Sequence, residues 1–152
     1  MSRRHTARQT AVQALCWLES QPGDIQTIIG DLVDSGGLDD DSIQFAVRLT
    51  QRTLSGQDSY DEEIAVAVKN RDSDRVGRLE RIVIRLALAE IDSKADVPVS
   101  VILDESVELA GEFVDEDAAA FVNGVLDGVV RQRSERTADA VELDRSNCAT
   151  RV

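Results

Sequence analysis

The chain is poor in the residues that most catalytic and secreted architectures require. It has one histidine, His5, two cysteines, Cys16 and Cys148, and two prolines, Pro22 and Pro98. A single histidine, in what reads as a mobile N-terminal stretch, leaves no histidine-based triad or zinc cluster. Two cysteines, one in an apolar helical pattern and one in a polar tail, cannot make a disulfide framework, so a reduced, cytoplasmic compartment is expected. Neither standard glycine-rich phosphate loop occurs. Asp39-Asp40-Asp41 reads as a helix cap and solvated charge run rather than a metal site, and Asp104, Glu105 and Glu108 read as a wet helix face. No catalytic residue, metal or cofactor is expected, and the chain does not read as an enzyme. The longest apolar run, Ile82 to Ala89, is broken by Arg85 and is far too short to span a membrane. The basic N-terminus lacks the apolar run of a signal peptide.

Aromatics are also scarce: Trp17, Phe45, Tyr60, Phe113 and Phe121 are the whole set. What remains is aliphatic and charged, and its 152 residues suit one domain. Apolar residues recur at helical rather than alternating spacing, so the fold class is all-α. Seven helices are expected. The first spans roughly residues 4–20 and ends at Pro22-Gly23. A short second follows Asp24 and stops at Gly36-Gly37. Asp39 to Asp41 cap a third, and Ser59 with Glu62 has the spacing of a capping box that would open a fourth. Ser73 or Asp74 opens the fifth and most apolar helix, which is central by its pattern. Ser100 caps the sixth after the extended Val97-Pro98-Val99 joint, and Asp115-Glu116-Asp117 leads into the seventh. Residues 1–133 form the helical domain, and residues 134–152 are expected to be a polar, mobile tail.

The formal net charge of −12 argues against nucleic acid at first sight. Its distribution changes that reading. The first eighteen residues hold Arg3, Arg4, His5 and Arg8 with no acid, and a second basic stretch runs from Lys69 to Arg85. Arg78, Arg81 and Arg85 fall on one helical stripe. Since salt screens distant charge beyond roughly 8 Å, a local cationic cluster can hold a phosphate chain on an acidic protein.

Four blocks now carry a resemblance. They are Ala7-Arg8-Gln9-Thr10-Ala11-Val12-Gln13-Ala14-Leu15, the run from Leu79 to Ile91, the run from Val97 to Ala110, and Phe121-Val122-Asn123-Gly124-Val125-Leu126-Asp127. In this order they resemble the NusB antitermination family over residues 3–130. The last block is the most distinctive, because Asn123-Gly124 inside a helical pattern costs about 1 kcal/mol for the glycine. The resemblance implies a helical bundle of two antiparallel subgroups. It also implies binding of boxA-type single-stranded RNA together with the small-subunit ribosomal protein NusE. That pair helps RNA polymerase read through terminators, notably in ribosomal RNA synthesis. The sequence departs from the family where tyrosine is common and Cys16 stands, where a glycine is replaced within Thr50-Gln51-Arg52, and at Ala89, often aromatic in relatives.

Among candidate RNA contacts, Arg3, Arg4 and Arg8 come first, since cations at a helix N-terminus oppose the macrodipole and need another purpose. Three phosphate contacts would give log affinity against log salt a slope of about −2. Phe113 and Phe121 are core residues by spacing and base-stacking platforms by resemblance. Asp117 adjoins that surface, and losing its charge should strengthen RNA binding. Arg85 needs either a carboxylate, Glu90 or one on the sixth helix, or an RNA phosphate. For NusE, the resemblance points to Cys16 and Glu80, although Glu80 also suits an ordinary surface. Two other readings stand beside this one. One is an acidic protein–protein adaptor or homodimer without RNA. The other is a ribosomal RNA cytosine methyltransferase, which begins with the same domain, but only a polar tail of about twenty residues is expected to follow it here.

Overall fold

The computed structural model describes residues 2–33, 37–69, 75–94 and 96–149. Among them are six helices and no strand: α1 (Arg3–Ser20), α2 (Ile25–Val33), α3 (Asp40–Ala67), α4 (Arg78–Asp92), α5 (Val99–Phe113) and α6 (Glu116–Ala149). Side-chain caps open most of them, each satisfying a backbone donor that the helix itself cannot. Ser2 accepts from the His5 amide at 3.1 Å, Asp24 from Thr27 at 3.1 Å, Asp39 from Ser42 at 2.9 Å and Asp115 from Ala118 at 2.8 Å.

The expected third and fourth helices are one continuous element. The Ser59–Glu62 signal lies inside α3, where local capping loses to tertiary contacts on both sides of it. Tyr60 and Ile64 carry on the buried stripe begun by Leu49 and Thr53. Asp61 is gripped by α4 and Glu63 by α6. Gly56 does not break the helix either. A β-carbon there would stand 2.6 Å from the Tyr60 ring, so the glycine makes room for that ring, whose hydroxyl donates to Asp92 at 3.0 Å.

Two other boundaries differ from expectation. Ser73 and Asp74, expected to open the fifth helix, lie outside the described residues; α4 begins at Arg78 behind Gly77. The cap of α5 is Pro98, not Ser100, and its carbonyl accepts from Val101 and Ile102 at 3.0 and 3.2 Å. Proline's fixed φ suits the extended entry, and its missing N–H is no loss at a helix start.

At the C-terminal end, where a polar, mobile tail was expected, residues 134–149 continue α6 as a helix. After Gly128 the sequence through 149 contains neither glycine nor proline, so nothing local stops the helix. Arg133 anchors its root, donating two bonds of 2.7 Å to Glu63 and one of 2.8 Å to Asp92. Residues 134–143 are all exposed, so this segment lacks the buried face that pattern reading looks for.

Ion pairs show how the helices run. Arg3 and Arg4 at the start of α1 meet Asp39 and Asp41 at the start of α3, so these helices lie side by side in one direction. α4 runs the other way: its Arg78 meets Glu19 at the end of α1, and its Glu90 meets Arg8 near the beginning. α5 and α6 form a hairpin across Val114-Asp115. The main core joins α1, α3, α4, α5 and α6, with Ile82, Val83, Ile84, Leu86 and Leu88 of α4 at its centre. That placement matches the central role expected from a helix apolar on more than one side. A smaller core of Ala7, Ala14, Ile29, Ala46 and Val47 holds α2 between α1 and α3. No helix among the described residues is long and apolar enough to cross a membrane.

Candidate nucleic-acid and partner interface

α1 organises the candidate site, and its two ends differ. Arg3 and Arg4 occupy its first turn with side chains 75% and 44% exposed. Each leans on an acid of α3: Arg3 on Asp39 at 2.8 Å and Arg4 on Asp41 at 3.3 Å. Exposed pairs of this kind are worth roughly 0–1 kcal/mol, so a phosphate can compete for both guanidiniums. Arg4 also lies over the Phe45 ring, 4.1 Å from its centroid, which holds its planar head in place.

Arg8 is corrected by the structure. It is buried, and its Nε and Nη2 donate to the two carboxylate oxygens of Glu90 at 2.7 and 2.6 Å. Glu105 stands 3.6 Å from its Nη1. Arg8 therefore pins α1 to α4 from inside, with its guanidinium committed to Glu90 rather than to a phosphate. With two arginines left at this terminus, the salt slope expected from them falls to about −1.4.

His5 is likewise neither mobile nor idle. It is 3% exposed and bridges α1 to α5, with Nδ1 2.6 Å from Glu105 and Nε2 2.8 Å from Glu112, while Glu108 stands 3.9 Å away. Only the imidazolium can donate from both nitrogens at once. Burial opposes its charge, but hydrogen bonds to Glu105 and Glu112 and their negative charges outweigh burial and raise its pKa above 6.5. A raised folded-state pKa gives stability that is complete below the unfolded value and is lost as pH rises through the folded one. The gap in melting temperature between wild type and His5→Gln should therefore be largest near pH 6 and shrink steadily toward about pH 9. A gap constant across that range would contradict the charged bridge.

The basic stripe of α4 is not an open cationic face. Arg85 donates to Asp61 at 2.8 and 2.6 Å, and Arg81 reaches the same carboxylate at 3.2 Å. Burial alone would raise the Asp61 pKa, but Arg85 and then Arg81 hold it below the carboxylate range. Arg85 thus takes a carboxylate, though on α3 and not Glu90, which belongs to Arg8. Phe113 and Phe121 are half-buried against the main core. Asp117 is exposed in the first turn of α6, where a negative charge suits the helix.

The other end of α1 gathers the partner candidates. Cys16 lies roughly 18 Å along the axis from Arg4, from twelve residues at 1.5 Å each. Its thiol is half-buried, and burial pushes its pKa up. Arg78 donates to the Cys16 carbonyl at 2.8 Å and to Ser20 at 3.1 Å and pairs with Glu19. Two residues on, Glu80 folds its carboxylate back over the space beside Gly77, where any β-carbon would collide with it. Cys16 thus meets the first turn of α4 through Arg78, two residues before Glu80. Trp17, next to Cys16 in the chain and 51% exposed, was not singled out by pattern reading. Its position off the apolar stripe of α1 was the available signal.

The profile of the NusB family matches residues 5–131. The transcription antitermination protein NusB of Myxococcus xanthus (strain DK1622) is 35% identical over 133 residues, covering 85% of this chain and 95% of its own. The fold is similar to NusB of T. maritima, with a TM-score of 0.75 at 27% identity over 86% of this chain and 92% of that one. It is also similar to a chain in the crystal structure of antitermination factors NusB and NusE in complex with dsRNA. There the TM-score is 0.70 at 27% identity, over 87% of this chain and 98% of that one.

Proposed function

The chain belongs to the NusB family of transcription antitermination proteins, which are not enzymes, and from that premise we propose that it is an RNA-binding adaptor. In this reading it holds boxA-type single-stranded RNA jointly with the ribosomal protein NusE, delivers both to the antitermination complex of RNA polymerase during ribosomal RNA synthesis, and works in the cytoplasm. The carrying observation is the polarity of α1. Exposed Arg3 and Arg4 stand at one end, and Cys16, half-exposed Trp17 and the first turn of α4, which Arg78 ties to the Cys16 carbonyl, stand at the other. One strand and one protein can therefore be held without competing for the same side chains. Phe113 and Phe121 extend the RNA surface with partly exposed ring edges, and Asp117 tempers its affinity.

The test is a fluorescence-anisotropy titration of labelled boxA RNA, with and without NusE, against a scrambled RNA of equal length. The proposal expects binding to boxA that tightens with NusE and weakens in Arg3→Ala/Arg4→Ala. Equal binding of scrambled RNA, or none in either condition, overturns it. A second reading, a protein adaptor or homodimer without RNA, draws on the acids that already face the arginines, Asp39 and Asp41 among them. Capture of NusE with no RNA signal would favour it.

A further inference from the structure

Between α1, α3 and the end of α4 lies a cleft of about 420 Å³. Arg4, Phe45, Arg48 and Arg52 line it, with Arg8, Glu90 and Asp96 also in its lining. The local charge is unusual for this molecule. Arg8 and Glu90 cancel as a closed pair, so Arg4, Arg48 and Arg52 face Asp96 alone within the lining, on a chain of net charge −12. Most other arginines of the described helices are held by carboxylates, whereas Arg48 makes no hydrogen bond or ion pair among the described residues. Among the described residues Arg52 hydrogen-bonds only the Asp92 carbonyl, at 3.5 Å. One guanidinium without a partner among the described residues and another with only a long carbonyl bond, beside an ordered one, are what a polyanion needs and what folding does not explain.

Resting on the RNA-binding reading above, we propose that this cleft seats a two-nucleotide stretch of single-stranded RNA. Arg48 and Arg52 are the phosphate ligands, and the Arg4 guanidinium is the platform for a base. Arg48 and Arg52 stand at i and i+4, roughly 6 Å apart at their β-carbons on one face of α3, a step comparable to that between neighbouring phosphates of an extended strand. Arg4 has one planar face on the Phe45 ring, which leaves the outer face for stacking, a mode that tolerates any base. The cleft therefore supplies affinity and direction, and base selection falls elsewhere on the surface. The strand would enter from the exposed first turn of α1, so Arg3 is its next cation.

The experiment compares wild type, Arg48→Ala, Arg48→Ala/Arg52→Ala and the remote control Arg131→Ala, each titrated with boxA RNA over a range of salt. Arg131 is exposed on α6 and pairs with Asp127. The proposal expects the double variant to bind several-fold more weakly at low salt. Its log–log salt slope should be shallower by about 1.4, from roughly 0.7 per lost phosphate contact. The single variant should lose about half of that, and the control nothing. NusE binding without RNA and the melting temperature should stay near wild-type values, since Arg48 pairs with nothing among the described residues and Arg52 makes only a long bond to a carbonyl among them. A double variant with wild-type affinity and slope overturns the cleft and leaves the RNA-binding reading standing. So does a loss of affinity with no change in slope, or a loss of NusE binding instead, which would make the cleft a seat for an acidic protein segment. A wild type that binds no RNA overturns both.

Discussion

Glu90→Ala is expected to destabilise the fold by about 3–5 kcal/mol, because it leaves the Arg8 guanidinium buried and uncompensated. Arg8 and Glu90 are 4% and 2% exposed, and both nitrogen–oxygen contacts are short, at 2.7 and 2.6 Å. Glu105, 3.6 Å away and already accepting from His5, is a poor substitute for the lost carboxylate. For a chain of this size the loss corresponds to a fall in melting temperature of roughly 6–20 °C. Replacing both partners at once, as Arg8→Met/Glu90→Leu, should recover most of it, since an apolar pair of similar volume carries no desolvation penalty. The check is a double-mutant cycle by thermal or urea unfolding. Additive single effects would show that the pair does not act as a unit.

The second large effect separates the two halves of α6. Leu126 is fully buried in the main core, and Leu126→Ala should cost about 2–5 kcal/mol through lost contact and the cavity left behind. Leu143 is 66% exposed on the same helix, and Leu143→Ala should change stability by less than about 0.5 kcal/mol. Urea unfolding of the two variants gives the comparison directly. A large cost at Leu143 would mean that the extension packs on something in solution.

The same contrast shows what was legible in the sequence. The buried faces of α1, α4, α5 and the first half of α6 followed from apolar spacing, because burial writes a 3.6-residue period into the chain. The 134–149 extension has no buried face over its exposed residues, so its helical state left no such period. The union of the expected third and fourth helices was hidden differently. Ser59 and Glu62 spell a cap, and only the distant partners of Asp61 and Glu63 decide that the helix runs through.

At the site, charge sign was readable and charge pairing was not. Arg3, Arg4 and Arg8 look alike in the sequence, yet Arg8 falls on the Ala7, Ala11 and Val12 face, and Glu90 follows Val83 and Leu86 on the core face of α4. Two opposite charges, each inside an apolar stripe, are the pattern of a buried pair. His5 looked peripheral because its partners lie a hundred residues away, on a helix face that reads as wet. Arg48 and Arg52 were passed over because they stand as two isolated cations on an otherwise ordinary exposed helix face; only the fold brings Arg4 beside them.

The account stands on local cations outweighing the field of the whole chain, and the sign of the salt dependence reads that balance most directly. With NusE present, the affinity of the wild-type protein for boxA RNA should fall as salt rises. The predicted slope is near −2.1 on a log–log plot if Arg3, Arg48 and Arg52 each meet a phosphate, at roughly 0.7 per contact. Affinity that is flat, or that climbs as salt screens the protein's negative charge, would contradict it.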